Sequence, residues 1–281
     1  MKRRLTQLVT SILANSYLTG FFRGHIYRGP LKALCVPFLN CYSCPGAWGT
    51  CPMGAFQALA AGFSQTLSFY IMGLLTTLGA LGGRLVCGWL CPFGFFQELL
   101  YAYRSKKWRL PRWLKILPPF VLALTLALPF LWRSGVGMGQ PYFCRFICPA
   151  GTLEAGLTLL ILRPQLRTLV GPTFLIKVAI LVMLILLGVF IWRPFCQTLC
   201  PLGAFYGLFN NKSFWRLKVK ESRCIKCQAC SRSCPAGLVP FIEANASGCV
   251  RCLQCTKVCP TGALTFGCAV DYAPFRTETG G

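Results

Sequence analysis

CIKCQACSRSCP, Cys224–Pro235, and CVRCLQCTKVCP, Cys249–Pro260, are two copies of one pattern, C-x2-C-x2-C-x3-C-P, separated by thirteen residues. Runs of this spacing hold [4Fe–4S] clusters: the first three cysteines wrap one cubane and the fourth ligates the other. The spacing therefore assigns Cys224, Cys227, Cys230 and Cys259 to one cluster, and Cys249, Cys252, Cys255 and Cys234 to its neighbour. Zinc fits less well, because a zinc site takes four ligands, usually as two separated pairs. Residues 213–270 are predicted to form a bacterial-type two-cluster ferredoxin-like α+β domain, with 271–281 as a tail.

Outside this region the chain is apolar. Of 281 residues, 55% are hydrophobic, and 29 Lys and Arg face only 6 Asp and Glu, a net charge of +23. A basic excess can mean nucleic acid. Here the basic residues sit between apolar runs, where the positive-inside rule puts them, so nucleic acid is excluded as a partner. Nineteen cysteines are too many for a reducing compartment without metal. Four apolar stretches approach the ~17–25 residues that cross a bilayer: Leu5–Phe22, Thr66–Gly82, Ile116–Trp132 and Thr173–Trp192. No A-x-A-like cleavage site follows the first, so it reads as a retained span. The fold class is mainly α: a polytopic helical membrane domain over residues 1–212, followed by the ferredoxin-like domain.

A second motif recurs after each span. It reads Cys51-Pro-Met-Gly-Ala-Phe-Gln, Cys87-Gly-Trp-Leu-Cys91-Pro-Phe-Gly-Phe-Phe-Gln, Cys144-Arg-Phe-Ile-Cys148-Pro-Ala-Gly-Thr-Leu-Glu and Cys196-Gln-Thr-Leu-Cys200-Pro-Leu-Gly-Ala-Phe-Tyr. The first copy is irregular, with Cys41, Cys44 and Cys51 in place of a C-x3-C. A C-x3-C loop offers two thiolates. Proline suits the first turn of the following helix, where its missing N–H costs nothing, and that helix aims free amides at an anionic cluster. Two such loops supply the four thiolates of a cubane. Arg84 and Arg193 lie three residues before a pair and Arg145 within one, placed either to balance cluster charge or to anchor the chain at the membrane surface.

CGWLCPFG and RPFCQTLCPLG, followed by the two ferredoxin motifs, resemble the NapH/NosR-type polyferredoxin membrane proteins over about residues 30–262. The resemblance implies electron transfer between cytoplasmic or quinone-pool donors and membrane or extracytoplasmic redox partners. The chain departs from the NapH pattern in carrying about four cysteine pairs in its membrane part, and it lacks the NosR-type flavin domain.

Basic loops at 104–115 and 212–223 place both termini and the ferredoxin domain on the cytoplasmic side of the cell inner membrane. Alternation of the spans then pairs Cys87 and Cys91 with Cys196 and Cys200 in an inner cluster. Cys144 and Cys148 join two of Cys41, Cys44 and Cys51 in an outer one. With the ferredoxin pair, that makes four clusters. If the helices after the motifs re-enter the membrane, this pairing fails.

His25, the sole histidine, excludes a bis-histidine haem within the chain and reads as a loop residue at the outer interface. Glu98 and Glu154 occupy nearly equivalent places after two motifs, for which arginine pairing or a helix-face role outweighs a proton relay. Cys35 and Cys268 have no partner spacing. No P-loop, G-x-G-x-x-G or Ser–His–Asp set is present. The reading is an electron-transfer subunit of an oxidoreductase complex with redox-protein partners; a quinol dehydrogenase subunit and a membrane redox sensor or maturation factor are the alternatives.

Overall fold

A computed structural model describes residues 2–61, 66–131 and 140–268. Trp132, the last two residues of the 213–270 segment and the 271–281 tail lie outside them. In chain order the helices are α1 (Lys2–Ala14), α2 (Leu18–Arg23), α3 (Pro52–Ala61), α4 (Thr66–Gly82), α5 (Leu85–Trp89), α6 (Pro92–Tyr101) and α7 (Leu117–Leu131). Then come α8 (Pro149–Leu162), α9 (Pro172–Phe190), α10 (Pro194–Thr198) and α11 (Pro201–Leu208). The C-terminal region adds β1 (Trp215–Val219), α12 (Ala229–Arg232), α13 (Gln254–Lys257) and β2 (Leu264–Cys268). The strands pair antiparallel, with Trp215 opposite Cys268 and Val219 opposite Leu264.

Among the described residues, α9 alone is both long and apolar enough to cross a bilayer, with a mean hydropathy of 2.7 and only 17% of its apolar window buried. Helices α4 and α7 are shorter and carry no charged residue. All three turn large apolar side chains outward: Phe69 on α4, Phe120 and Leu131 on α7, Leu175 and Leu186 on α9.

The expected first span, Leu5–Phe22, is not one helix. Helix α1 ends at Ala14, and at 13 residues it is about 20 Å long, short of the ~30 Å hydrocarbon core. The chain breaks there because it turns to grip the irregular cysteine loop. Tyr17 N–H donates to Gly46 O at 3.1 Å, and Gly20 lies so close that a Cβ on it would sit 2.0 Å from Pro45 O.

The helices that follow the cysteine pairs pack back along the long ones. Helix α6 lies on α9, α11 on α7 and α4, α3 on α4 and α7, and α8 on α9. The cysteine loops are thereby tucked between long helices in one shared apolar core.

Candidate metal centres

The Cys-Pro-x-Gly segment builds its own thiol environment. Cys91, Cys148 and Cys200 each cap the helix that follows, with proline in its first turn. Their sulfurs accept from the amides of Gly94, Gly151 and Gly203 at 3.4, 3.4 and 3.3 Å. This is the side-chain cap that Ser or Asp makes elsewhere, with sulfur as the acceptor. The glycines also leave space. A Cβ on Gly54 would sit 3.7 Å from Cys144 Sγ, and one on Gly151 would sit 3.6 Å from Cys41 Sγ.

The cysteines gather in four groups. Cys41, Cys51, Cys144 and Cys148 line one cavity of about 410 Å³. Cys44 is left out of it, its thiol turned to Asn15 Oδ1 at 3.6 Å. Cys200 lies within electrostatic reach of Cys196, Cys87 and Cys91. Cys224, Cys227, Cys230 and Cys259 line a third space, and Cys234, Cys249, Cys252 and Cys255 a fourth. Among the described residues no three Cys, His, Asp or Glu side chains converge as one ion requires. Four thiols standing around a space is the donor set that a cubane takes, so these residues fit [4Fe–4S] clusters. Cys35 and Cys268 join no group: Cys35 Sγ lies 3.4 Å from Thr50 Oγ1, and Cys268 Sγ accepts from Trp215 Nε1 at 2.9 Å.

Burial pushes Cys41 and Cys144 up to about 12 and Cys249 to about 11. Cys259 moves the other way: against the effect of burial, the Leu264 amide and the Thr261 hydroxyl hold it down. A buried neutral thiol must lose its proton to become a ligand.

The two groups outside the ferredoxin-like domain differ in charge. Around the Cys87/Cys91/Cys196/Cys200 group, Arg84 and Arg193 are both buried. Arg84 donates to Cys196 O at 2.7 Å and to Ser247 O at 3.0 Å. Arg193 donates to Cys87 O at 2.6 Å and pairs with Glu98 at 3.1 Å, while Glu98 also pairs with Arg3 at 2.8 Å. Glu98 is thus an arginine partner. Arg145 behaves otherwise: it is exposed, bonded to Gln140 and set over the Phe146 ring. Around the Cys41/Cys51/Cys144/Cys148 group, Lys177 donates to Cys144 O at 3.2 Å and Glu154 accepts from Cys41 N at 2.7 Å. His25 sits at the surface against Arg163, at 3.1 Å.

The sixth residue after each Cys-Pro cysteine reaches across to a different cysteine-bearing segment. Gln57 accepts from Cys144 N at 3.3 Å, and Glu154 from Cys41 N. Gln97 accepts from Phe195 N and donates to Cys196 Sγ, both at 3.1 Å. Tyr206 donates to Pro37 O at 2.9 Å. The repeat shows these positions in line, but only the packing reveals them as clamps. Three rings join these two groups: Phe93 meets Phe195 edge-on at 5.2 Å, and Phe195 meets Phe143 at 6.5 Å.

The ferredoxin-like domain docks through its second motif. Fully buried Arg251 donates to Gly82 O, Asn210 O and Ser213 Oγ, each at 2.6 Å. Trp89 Nε1 donates to Arg251 O at 3.0 Å, and Asn210 Nδ2 to Cys249 O at 2.8 Å. Gly88 is required there, since a Cβ would meet Val250 O at 2.2 Å. The Cys234/Cys249/Cys252/Cys255 group therefore abuts the loop that carries Cys87.

A 4Fe-4S binding domain family matches residues 50–70, 64–111, 117–165 and 171–220, and a second 4Fe-4S binding domain matches 242–265. An uncharacterized protein of Methanocaldococcus jannaschii is 33% identical over 58% of this chain and 63% of its own. The methylamine utilization ferredoxin-type protein MauN of Methylorubrum extorquens is 30% identical over 59% and 53%. The ferredoxin-type protein NapH of Haemophilus influenzae is 27% identical over 84% of this chain and 75% of that one. The matches take in 63% and 54% of the first two relatives' own lengths, less than two thirds of each. No solved structure matches. Matched by one family over more than half its length, the chain belongs to the 4Fe-4S binding domain proteins, a ferredoxin-type iron–sulfur protein with NapH and MauN among its relatives.

Proposed function

We propose that the chain is a multi-pass membrane subunit that relays electrons between a cytoplasmic redox protein and an acceptor in or beyond the membrane. The observation that carries this is the order of the four cysteine groups. The Cys224 group lies in the ferredoxin-like domain beside the Cys249 group, and both motifs contribute a cysteine to each. The Cys249 group abuts the Cys87 loop, and the Phe93–Phe195–Phe143 rings lead on to the Cys144 group. A [4Fe–4S] cluster bound in each group would supply a one-electron couple. The proposed ligands are the sixteen cysteines of the four groups, with Cys44 excluded. Arg84 and Arg193 hold cationic charge against the inner group, and the Cys-Pro-x-Gly amides point N–H groups at its sulfurs, which raises potential. The outward apolar faces of α4, α7 and α9 meet lipid, and the basic 104–115 and 212–223 segments face the cytoplasm.

Iron and acid-labile sulfide per chain, measured on anaerobically purified protein, test this reading. Four cubanes need about 16 irons and two need about 8. About 8, with both ferredoxin signals intact, would sink the relay.

A second reading, a quinol dehydrogenase subunit, draws on the cavity beside the outer group. It extends well beyond the sulfurs to Leu159, Phe174 and Lys177, and an apolar cavity with one polar anchor suits a small hydrophobic redox molecule. Quinol-driven reduction of the purified chain separates the two.

A further inference from the structure

A cavity of about 400 Å³ opens where the start of α1, the end of α6, the 107–109 loop and the first ferredoxin motif meet. Five of the residues around it are cations: Arg3, Arg4, Lys107, Arg109 and Arg232. Among the described residues, Glu98 is the one acid in the lining, and it is already held by Arg3 at 2.8 Å and by Arg193 at 3.1 Å. The positive charge of the cavity is therefore not met within the chain. The cations differ in what occupies them. Lys107 donates to Tyr101 O, Tyr103 O, Ser105 Oγ and Val189 O, which uses all three of its hydrogens. Arg232 donates to Cys227 O at 3.2 Å. Arg4 and Arg109 are exposed and, among the described residues, make no hydrogen bond or ion pair.

Arg4 also stands in the first turn of α1, beside Lys2 and Arg3 and with no acid there. Cations at that end oppose the helix dipole, which favours an anion instead. Guanidinium groups present paired N–H donors that match the oxygens of a phosphate, and a space of this size admits a phosphate group with its ester. The cavity lies at the end of α9. Trp192 lines it, and so does Trp108, which stacks on Phe190 at 5.4 Å and is 55% exposed. Tryptophan at the end of an apolar span belongs at headgroup level, and basic pockets there take lipid phosphate as readily as soluble phosphate. Cys234, a ligand proposed for the Cys249 group, also faces the cavity.

We propose that this cavity binds a phosphate-bearing anion, with Arg4 and Arg109 as its free donors and the cluster of the Cys249 group as its electrostatic neighbour. The site does not depend on the relay reading. The test uses the full-length, cluster-loaded chain in neutral detergent. Inorganic phosphate and pyrophosphate are titrated by calorimetry. Phosphatidylglycerol is compared with phosphatidylcholine in mixed micelles by native mass spectrometry. At least one of the anionic probes should bind saturably. Saturation by phosphate or pyrophosphate assigns a soluble ligand, and saturation by phosphatidylglycerol alone assigns a lipid headgroup. Arg4→Gln/Arg109→Gln should weaken binding about tenfold or more, through loss of charge-assisted hydrogen bonds. Arg104→Gln/Lys106→Gln removes the same charge from the same basic loop region but outside the lining, and should leave binding unchanged. Iron content and thermal midpoint should match the parent in both double variants. The bound anion should also lower the midpoint potential of the Cys249-group cluster, read by EPR-monitored titration, and should not do so in Arg4→Gln/Arg109→Gln. No saturable binding, equal loss in the two double variants, or binding that leaves that potential unmoved would overturn the proposal.

Discussion

Gln97→Leu isolates one hydrogen bond to one sulfur. Gln97 is buried, its Oε1 accepts from Phe195 N, and its Nε2 donates to Cys196 Sγ, both at 3.1 Å. Leucine keeps much of the volume and removes both bonds, together with the 3.3 Å bond from Nε2 to Phe93 O. Leaving the buried Phe195 amide without an acceptor should cost roughly 1–3 kcal/mol of stability. The N–H to sulfur bond favours whichever cluster state carries more negative charge, the reduced one. Taking that differential as about 1 kcal/mol, and ~59 mV per tenfold for one electron, the inner potential should fall by about 40 mV. The assay is an EPR-monitored redox titration of the full-length protein. Gln57→Leu is the control. Gln57 holds the equivalent place at the outer group, but it bonds Cys144 N and Thr125 O and no sulfur. Its loss should leave the outer potential nearly unmoved. Equal shifts in the two variants, or an inner potential that rises while iron content holds, would refute the reasoning.

Cys51→Ala should remove about four irons per chain, one cubane, while Cys44→Ala, outside the cavity, should remove none by iron and sulfide analysis. Glu98→Gln strips the buried Arg193 of its carboxylate; it should destabilise by about 3–5 kcal/mol, read as a lower thermal midpoint. Arg251→Met leaves Gly82 O and Asn210 O without their donor; a cost of about 2–4 kcal/mol should loosen the ferredoxin-like domain and open residues 211–214 to limited proteolysis. Cys41 and Cys144 are raised to about 12, so the empty outer group is protonated at neutral pH. Cluster insertion must then release protons and should become more favourable as pH rises toward those values; reconstitution that grows weaker with rising pH would contradict it.

Much of this was legible in the sequence because spacing is a local property. C-x2-C-x2-C-x3-C-P and C-x3-C-P fix loops that nearby residues alone determine, and Cys91, Cys148 and Cys200 cap their own helices as the motif implies. Thr66–Gly82 is a helix with the bounds that its apolar run suggests. What lay hidden depends on distant contacts. Nothing within Cys41–Cys51 says which thiol stays out; that is decided by Asn15, which takes Cys44. Leu5–Phe22 has the composition of a span, but its break is set by the Gly46 carbonyl and the close pass of Gly20 at Pro45. Arg84, Arg193 and Arg145 look alike in sequence. Two are buried against carbonyls of the inner group, while Arg145 lies outside on Phe146.

The clamps explain why the groups form from alternate motifs. A motif's helix satisfies its own second cysteine through the glycine amide, which is a local interaction. Its sixth residue faces one and a half turns further along, too far to serve the same loop. Gln57 therefore reaches the Cys144 loop, Glu154 the Cys41 loop and Gln97 the Cys196 loop. In the outer group the clamp is reciprocal, Gln57 holding one loop and Glu154 the other. In the inner group it is one-sided: Gln97 alone reaches across, and Tyr206, in the matching place, bonds Pro37 in the chain leading to Cys41. Arg84 takes over on the open side by donating to Cys196 O. Two buried arginines with Glu98 beside the inner group, against Lys177 and Glu154 beside the outer one, give the inner group the more positive surroundings. Negative surroundings disfavour an added electron and positive ones favour it. Similar thiolate sets built by one repeated motif are thereby set apart by the arginines three places before the inner pairs and the glutamate six places after Cys148.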